Sequence, residues 1–130
     1  MAAYSFHKRE RLCSMKLTDR LFNGAGSLSM AAFPIRMVWI EKEREAQEPP
    51  VQIMVSVSKR HFKHAVKRNR VKRQLREAYR LAKLPLMEKI EKTPQRTLLI
   101  AFIWLADELY SSAAVASRME QLLLRLMEKL

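Results

Sequence analysis

Residues 51–59, VQIMVSVSK, alternate strictly in polarity. Val51, Ile53, Val55 and Val57 fall on one side of an extended chain, and Gln52, Met54, Ser56 and Ser58 fall on the other. This is the pattern of a strand with one face in the core. Its second face, with small polar groups at Ser56 and Ser58, reads as a sheet surface left open to something outside the core. Upstream, FPIRMVWIE (33–41) is rich in β-branched and aromatic residues and carries Pro34 at its start, where a strand tolerates it, so it reads as strand one. Downstream, RTLLIAFIWLA (96–106) reads as a third, fully buried strand. EKEREAQEPP (41–50) is charged, ends on two prolines and reads as an exposed connection.

Between and around these strands the apolar spacing becomes helical. Over 65–82, Val71, Leu75, Ala78, Tyr79 and Ala82 fall within about a third of a helix circumference. A Ser cap precedes Val115, Met119, Leu122, Leu123, Leu126 and Leu130 in the segment 111–130. A looser pattern at 10–22, with Leu12, Met15, Leu21 and Phe22, predicts a short helix stopped by NGAG. LPLMEKIEKTPQ (84–95), bounded by Pro85 and Pro94, predicts a helical turn or connector. The order is α, β, β, α, β, α: an α+β fold, one small sheet with about three helices, in a single domain over 1–130, with 1–9 expected as a flexible tail. A chain of 130 residues suits one core, and two glycines with five prolines exclude a collagenous or low-complexity chain.

The longest apolar run, LLIAFIWLA, has nine residues, about half a membrane span. The N-terminal MAAYSFHKRERL has no apolar run behind its charges and is not a secretory signal. Cys13 is the only cysteine, so no intrachain disulfide can form, and the expected location is the reducing cytoplasm.

Charge changes the picture most. The formal net charge is +12. From Lys59 to Lys83 there are eleven Lys or Arg and one acid, whereas the other 105 residues hold fourteen cations and twelve acids. A merely solvated helix face would neutralise its cations with Glu at i, i+4, and only Glu77 is available to do so. Asn69, Arg73, Arg76 and Arg80 form an outward stripe opposite the apolar face, flanked by Lys72 and Lys83. Arginine dominates the stripe, which favours forked, directional recognition of phosphate, and Asn69 adds both a donor and an acceptor. The candidate nucleic-acid contacts are Lys59, Arg60, Lys67, Arg68, Asn69, Arg70, Lys72, Arg73, Arg76 and Arg80. Base stacking would have to come from Phe22, Phe33 or Phe62, each of which is also a core candidate.

Candidate chemistry of the protein's own is lacking. His7, His61 and His64 stand in no catalytic or zinc-binding spacing with Cys13 or a carboxylate. The acids at 41–48 and the neighbours Asp107 and Glu108 do not form a converging two-metal set. Gly24 and Gly26 are the whole glycine supply, too few for a phosphate-cradling loop. The residues alone lead to a nucleic-acid-binding domain without metal ligands of its own.

The run VSVSKRHFKHAVKRNRVKRQLREAYR (55–80) resembles the signature of the protein subunit of bacterial ribonuclease P. The core of the likeness is AVKRNRVKRQLRE, with Arg68-Asn69-Arg70, then Lys72-Arg73, then Arg76. Weaker similarity extends to Arg11-Leu12, Leu21-Phe22 and strand one. The resemblance implies a sandwich of the ribosomal protein S5 domain 2-like kind with a left-handed β-α-β crossover, although chain physics by itself favours the right-handed form.

It further implies a subunit of an endoribonuclease whose catalytic groups and Mg2+ belong to an RNA, and which removes the 5′ leader from precursor tRNA. Arg68, Asn69, Arg70, Lys72, Arg73 and Arg76 would touch the ribozyme RNA and support its metal ions. A cleft between the first helix and the sheet would hold the single-stranded leader, with Phe22, Phe33, Arg36 and Ser56 as its candidate residues. Phe22 matches a cleft aromatic of the family, whereas Thr18 and Arg36 stand where rings are usual. The common Gly-Asn before Ala-Val is Lys63-His64 here, so the turn into the helix needs another conformation or cap. The expected partners are the catalytic RNA and precursor tRNA, with no membrane and no obligate protein partner. A ribosomal or nucleoid-type structural protein using the same helix is the alternative. A membrane-surface role would need the helix's apolar face exposed, and the strands give that face a place to be buried.

Overall fold

The structure, a computed structural model, describes residues 11–12, 15–23 and 26–130. The expected tail, residues 1–9, lies outside them, as do His7 and Cys13. Four helices and four strands follow in the order α1 (Met15–Asn23), β1 (Leu28–Ala32), β2 (Ile35–Glu43), β3 (Val51–Ser56), α2 (Ala65–Ala82), α3 (Leu84–Glu91), β4 (Arg96–Trp104) and α4 (Ser112–Lys129). The strands form one sheet in the order β1-β2-β4-β3. β1 and β2 form an antiparallel hairpin, β4 lies antiparallel to β2, and β3 lies parallel to β4. The parallel pair is connected through α2 and α3, because no short turn can join neighbouring parallel strands.

Alternation along the strands separates two apolar layers. Val51 and Ile53 of β3, Ile35, Met37 and Trp39 of β2, and Leu98, Ile100, Phe102 and Trp104 of β4 face the larger layer. There α2 contributes Val71, Leu75, Ala78 and Tyr79, α3 contributes Leu86 and Ile90, and α4 contributes Val115, Met119, Leu122, Leu123 and Leu126. The opposite face is smaller: Val38, Ile40, Leu99 and Ala101 meet Leu12 and Leu21, with Leu17, Met54 and Ile103 at the margin. β4 is therefore apolar on both sides, as its unbroken apolar sequence predicts.

Two elements differ from the sequence expectation. LSMAA pairs as β1 although it lacks β-branched residues. Its pairing with β2 and two arginines of α4 hold it: Arg125 Nη1 donates to Ala31 O at 3.0 Å and Arg118 Nε to Phe33 O at 3.0 Å. The hairpin turns through Phe33 and Pro34, whose peptide bond is cis, and the expected strand one begins at Ile35 rather than Phe33. LPLMEKIE is a helix, started by Pro85 in its first turn, where a missing N–H costs nothing.

The turn into α2 solves the problem posed by Lys63-His64. Among the described non-glycine residues only Gln47 has positive φ, so Lys63 keeps an ordinary backbone. His64 is the N-cap, with φ −98° and ψ 140° and no side-chain capping bond. Arg68 supplies the restraint from inside the helix, its Nη1 donating to the carbonyls of Phe62 and Lys63, each at 2.9 Å. His61 Nδ1 meets Asp107 Oδ1 at 2.6 Å and ties the same loop to the β4–α4 connection.

At the other end of the sheet, Lys42 is 4% exposed, with Nζ donating to Glu48 Oε1 at 2.6 Å and to Glu43 O at 2.8 Å. Burial by itself would raise the Glu48 carboxyl. The Lys42 hydrogen bond, the Glu45 N–H and the charges of Lys42 and Arg44 outweigh it and hold the group below its ordinary range. A depressed folded-state pKa stabilises the fold above the unfolded value, and that contribution disappears as pH falls through the folded value.

Urea unfolding at neutral pH and near pH 3 tests this end of the sheet. Glu48→Gln leaves a buried ammonium without its counter-charge and is expected to lose about 3–5 kcal/mol at neutral pH, with a smaller further loss in acid than wild type. Arg68→Ala, measured the same way, is expected to cost about 1.5–3 kcal/mol by releasing two carbonyls from a charged donor.

Candidate nucleic-acid interface

The long axis of the interface is α2. Val71, Leu75, Ala78 and Tyr79 press it onto the sheet, and that single packed face fixes where every cation on the helix points. Asn69 and Arg73 are exposed, and Arg76 and Arg80 are half-buried along one line. Lys72 lies on one flank of that line. Arg70 lies about 100° around from Asn69 on the other, with Lys67 beyond it. Lys59 and Arg60 stand exposed in the loop leaving β3, where the Arg60 N–H donates to Ser58 Oγ at 3.1 Å. Two cations differ from the others. Arg68 is turned toward the loop carbonyls, and Lys83 is only 3% exposed at the junction of α2 and α3, so it does not flank the stripe as expected. Lys83 is at once the C-cap of α2 and the N-cap of α3, in helical backbone geometry.

The electrostatics of this surface are one-sided. No acid occupies the first turn of α2, which carries Lys67 instead, so the positive end of the helix dipole is reinforced rather than offset. The one acid of the helix, Glu77, accepts from Arg80. That bond lowers the Glu77 carboxyl from its usual range and raises Arg80. Burial pushes the Arg76 guanidinium down, and the charge of Arg11 pushes it further in the same direction. Arg11, Asn69, Arg73, Arg76, Glu77 and Arg80 line a groove of about 440 Å³. Arg11 was not among the candidates read from the sequence, because about 60 residues separate it from α2; only the sheet brings the two together. It pairs in parallel with Ile53 on the free edge of β3.

The second set of candidates lies on the smaller face. Arg36 and Ser56 flank Ile103 in one row across β2, β4 and β3, so their Cα atoms are about 10 Å apart at ordinary strand spacing. Arg36 is exposed and its Nε donates to Ser29 Oγ at 3.2 Å. α1 covers the neighbouring rows through Leu17 and Leu21 and leaves this one at the margin of the apolar cluster. The face that reads as open in the sequence is thus partly roofed by α1, with Arg36 exposed beside it. The three aromatic candidates separate clearly: Phe62 is core at 5% exposure, whereas Phe22 on α1 and Phe33 on the hairpin turn are 42% and 59% exposed. Thr18, Asp19, Phe22 and Asn23 line a shallow hollow on α1, where Asn23 Nδ2 donates to Asp19 Oδ1 at 2.7 Å.

Among the described residues, no group of three or more His, Cys, Asp or Glu is placed to hold a metal ion, and no helix is long and apolar enough to cross a membrane. The arrangement offers guanidinium forks, an amide and exposed rings to a polyanion.

Comparison with known proteins fits this surface. A family model described as Ribonuclease P matches residues 6–127. The ribonuclease P protein component of Porphyromonas gingivalis is 36% identical over 126 residues, spanning 96% of this chain and 88% of that protein. The ribonuclease P protein component of Chlorobium phaeobacteroides is 35% identical over 82 residues, 63% of this chain and 56% of that protein. The match runs from the first residues of the chain through α4, and on it the chain belongs to the ribonuclease P protein family.

Proposed function

We propose that this chain, as the protein subunit of the ribonuclease P endoribonuclease, binds the catalytic RNA through α2 and the Lys59-Arg60 loop. In the same reading it receives the single-stranded 5′ leader of precursor tRNA in the cleft between α1 and the Arg36–Ile103–Ser56 row. The observation that carries the reading is the helix face of Asn69, Arg73, Arg76 and Arg80, whose only acid is already paired. Such a face binds phosphate by charge-assisted, forked hydrogen bonds.

The chemistry of cleavage belongs to the RNA in this reading. A surface of guanidinium groups suits phosphate oxygens and gives a divalent cation nothing to bind, so Mg2+ is held by the RNA. Arginines on α2 would neutralise phosphates around those ions and let the RNA strands approach one another. Phe22 and Phe33 would stack on unpaired leader bases, and Arg36 would meet the leader backbone at the position where the family usually has a ring. The setting is the bacterial cytoplasm, where precursor tRNA is made.

Single-turnover cleavage of a 5′-extended precursor tRNA at low Mg2+, with the cognate RNA and with or without the protein, tests this directly. Faster cleavage at the mature 5′ end that requires both components is expected. Cleavage unaffected by the protein, with tight but indiscriminate RNA binding, would return the chain to a structural nucleic-acid-binding role. Arg73→Ala and Arg76→Ala are each expected to reduce the salt dependence of RNA binding by roughly 0.7–0.9 log units per log unit of salt. Unchanged slopes in both variants would remove α2 as the main RNA surface.

A further inference from the structure

The two faces of the sheet meet at the tip of the β1–β2 hairpin. Arg36, on the smaller face, lies opposite Ala31, one row from the turn that carries Phe33. On the larger face, α4 runs along the free margin of β1. Its Arg118 Nε donates to Phe33 O and its Arg125 Nη1 to Ala31 O, each at 3.0 Å. Seven residues separate these arginines, two turns of helix or about 10 Å, so both face the hairpin. Gln121 stands exposed between them, one turn on from Arg118. Beyond Arg125, a hollow of about 490 Å³ is lined by Met30, Arg125, Glu128 and Lys129.

We infer that Phe33, Arg118, Gln121 and Arg125 form a second site for single-stranded RNA, which takes the 5′-distal nucleotides of a long leader as they leave the cleft. The inference rests on the reading of the α1 side of the sheet as the leader cleft. It carries the path of the strand around the hairpin tip to the opposite face.

The argument starts from the ring. Phe33 is 59% exposed, so it adds little to the core, yet it offers a face on which any unpaired base can stack. Paired RNA hides its base faces, and the ring therefore selects a single strand. Each arginine spends one N–H on a hairpin carbonyl and, among the described residues, keeps its remaining guanidinium N–H groups for a second acceptor. The backbone bonds also fix each guanidinium before RNA arrives, so the entropy of ordering a long side chain is lost on folding rather than on binding. Arg118, Arg125 and Lys129 outnumber Glu128, the acid at the far end of the margin. The order along the margin is ring, guanidinium, amide, guanidinium. A base stacks on Phe33, phosphates meet the forks of Arg118 and Arg125, and Gln121 offers a donor and an acceptor to a base edge.

Single-turnover cleavage by the assembled holoenzyme, with precursor tRNA carrying a leader of about four or about twelve nucleotides, reads the second site as a ratio of half-saturating enzyme concentrations. Wild type is expected to need roughly tenfold less enzyme for the long leader, a factor that one stacked base and two phosphate contacts can supply. Phe33→Leu, and Arg118→Gln combined with Arg125→Gln, are each expected to lower the ratio to about threefold or less. The arginine variant should also reduce the salt dependence of long-leader binding by about 1.4 log units per log unit of salt, the share of two phosphates on a single strand. A purely structural role for these arginines would loosen the hairpin and weaken both substrates alike, leaving the ratio at its wild-type value. The inference is overturned if the two leaders are equivalent for wild type, or if either variant keeps the wild-type ratio. Competition by mature tRNA keeps the parent reading separate. A short leader that binds no better than mature tRNA defeats the cleft, whereas a gain from the short leader with none added by the long one defeats only the second site.

Discussion

The fold depends on β4 being buried on both of its faces. Leu98, Ile100, Phe102 and Trp104 anchor the layer that holds α2, α3 and α4, while Leu99, Ala101 and Ile103 support the layer under α1. A strand apolar on both faces needs a covering layer on each, and here it also has β2 on one edge and β3 on the other. The layer that seats α2 and the layer under α1 are therefore built on opposite sides of the same nine residues.

That arrangement explains how the charge on α2 becomes directional. A basic helix free in solution presents cations all round and binds polyanions without geometry. Fixed by Val71, Leu75, Ala78 and Tyr79, α2 gives Asn69, Arg73, Arg76 and Arg80 one common heading. Arg68 then serves the turn rather than the groove, replacing the glycine and asparagine usual before such a helix with a side chain that holds two carbonyls. The same residue type lines the groove on one side of the helix and closes the loop on another, decided by about 100° of rotation per residue.

What the sequence disclosed follows from the range of the interactions involved. The periodicity of 65–82 and 111–130 reports local burial, and the structure follows it closely, with Val71, Leu75, Ala78 and Tyr79 buried on α2 as its wheel predicts; in 51–59 the strand ends at Ser56, Gln52 is buried beside Val51 and Ile53, and Val55 is only half-buried. β1 was illegible because Leu28 to Ala32 has no intrinsic strand preference and is held by β2 and by the distant Arg118 and Arg125. α3 read as a short helical turn or a connector because two prolines frame it, and one of them starts the helix. In the interface, the stripe could be read from spacing within one helix, but Arg11 could not, since it joins through strand pairing across the chain. Phe62 could not be sorted from Phe22 and Phe33 either: each stands outside a clear apolar period, and only the tertiary packing shows which one is enclosed.

The two α4 arginines on the hairpin carry a further consequence. β1 is an edge strand, and an edge strand can recruit a second copy of itself through its unpaired backbone groups. Arg125 and Arg118 occupy the carbonyls of Ala31 and Phe33 along that margin and place positive charge on it. Two copies meeting edge to edge would have to displace these bonds and bring like charges together.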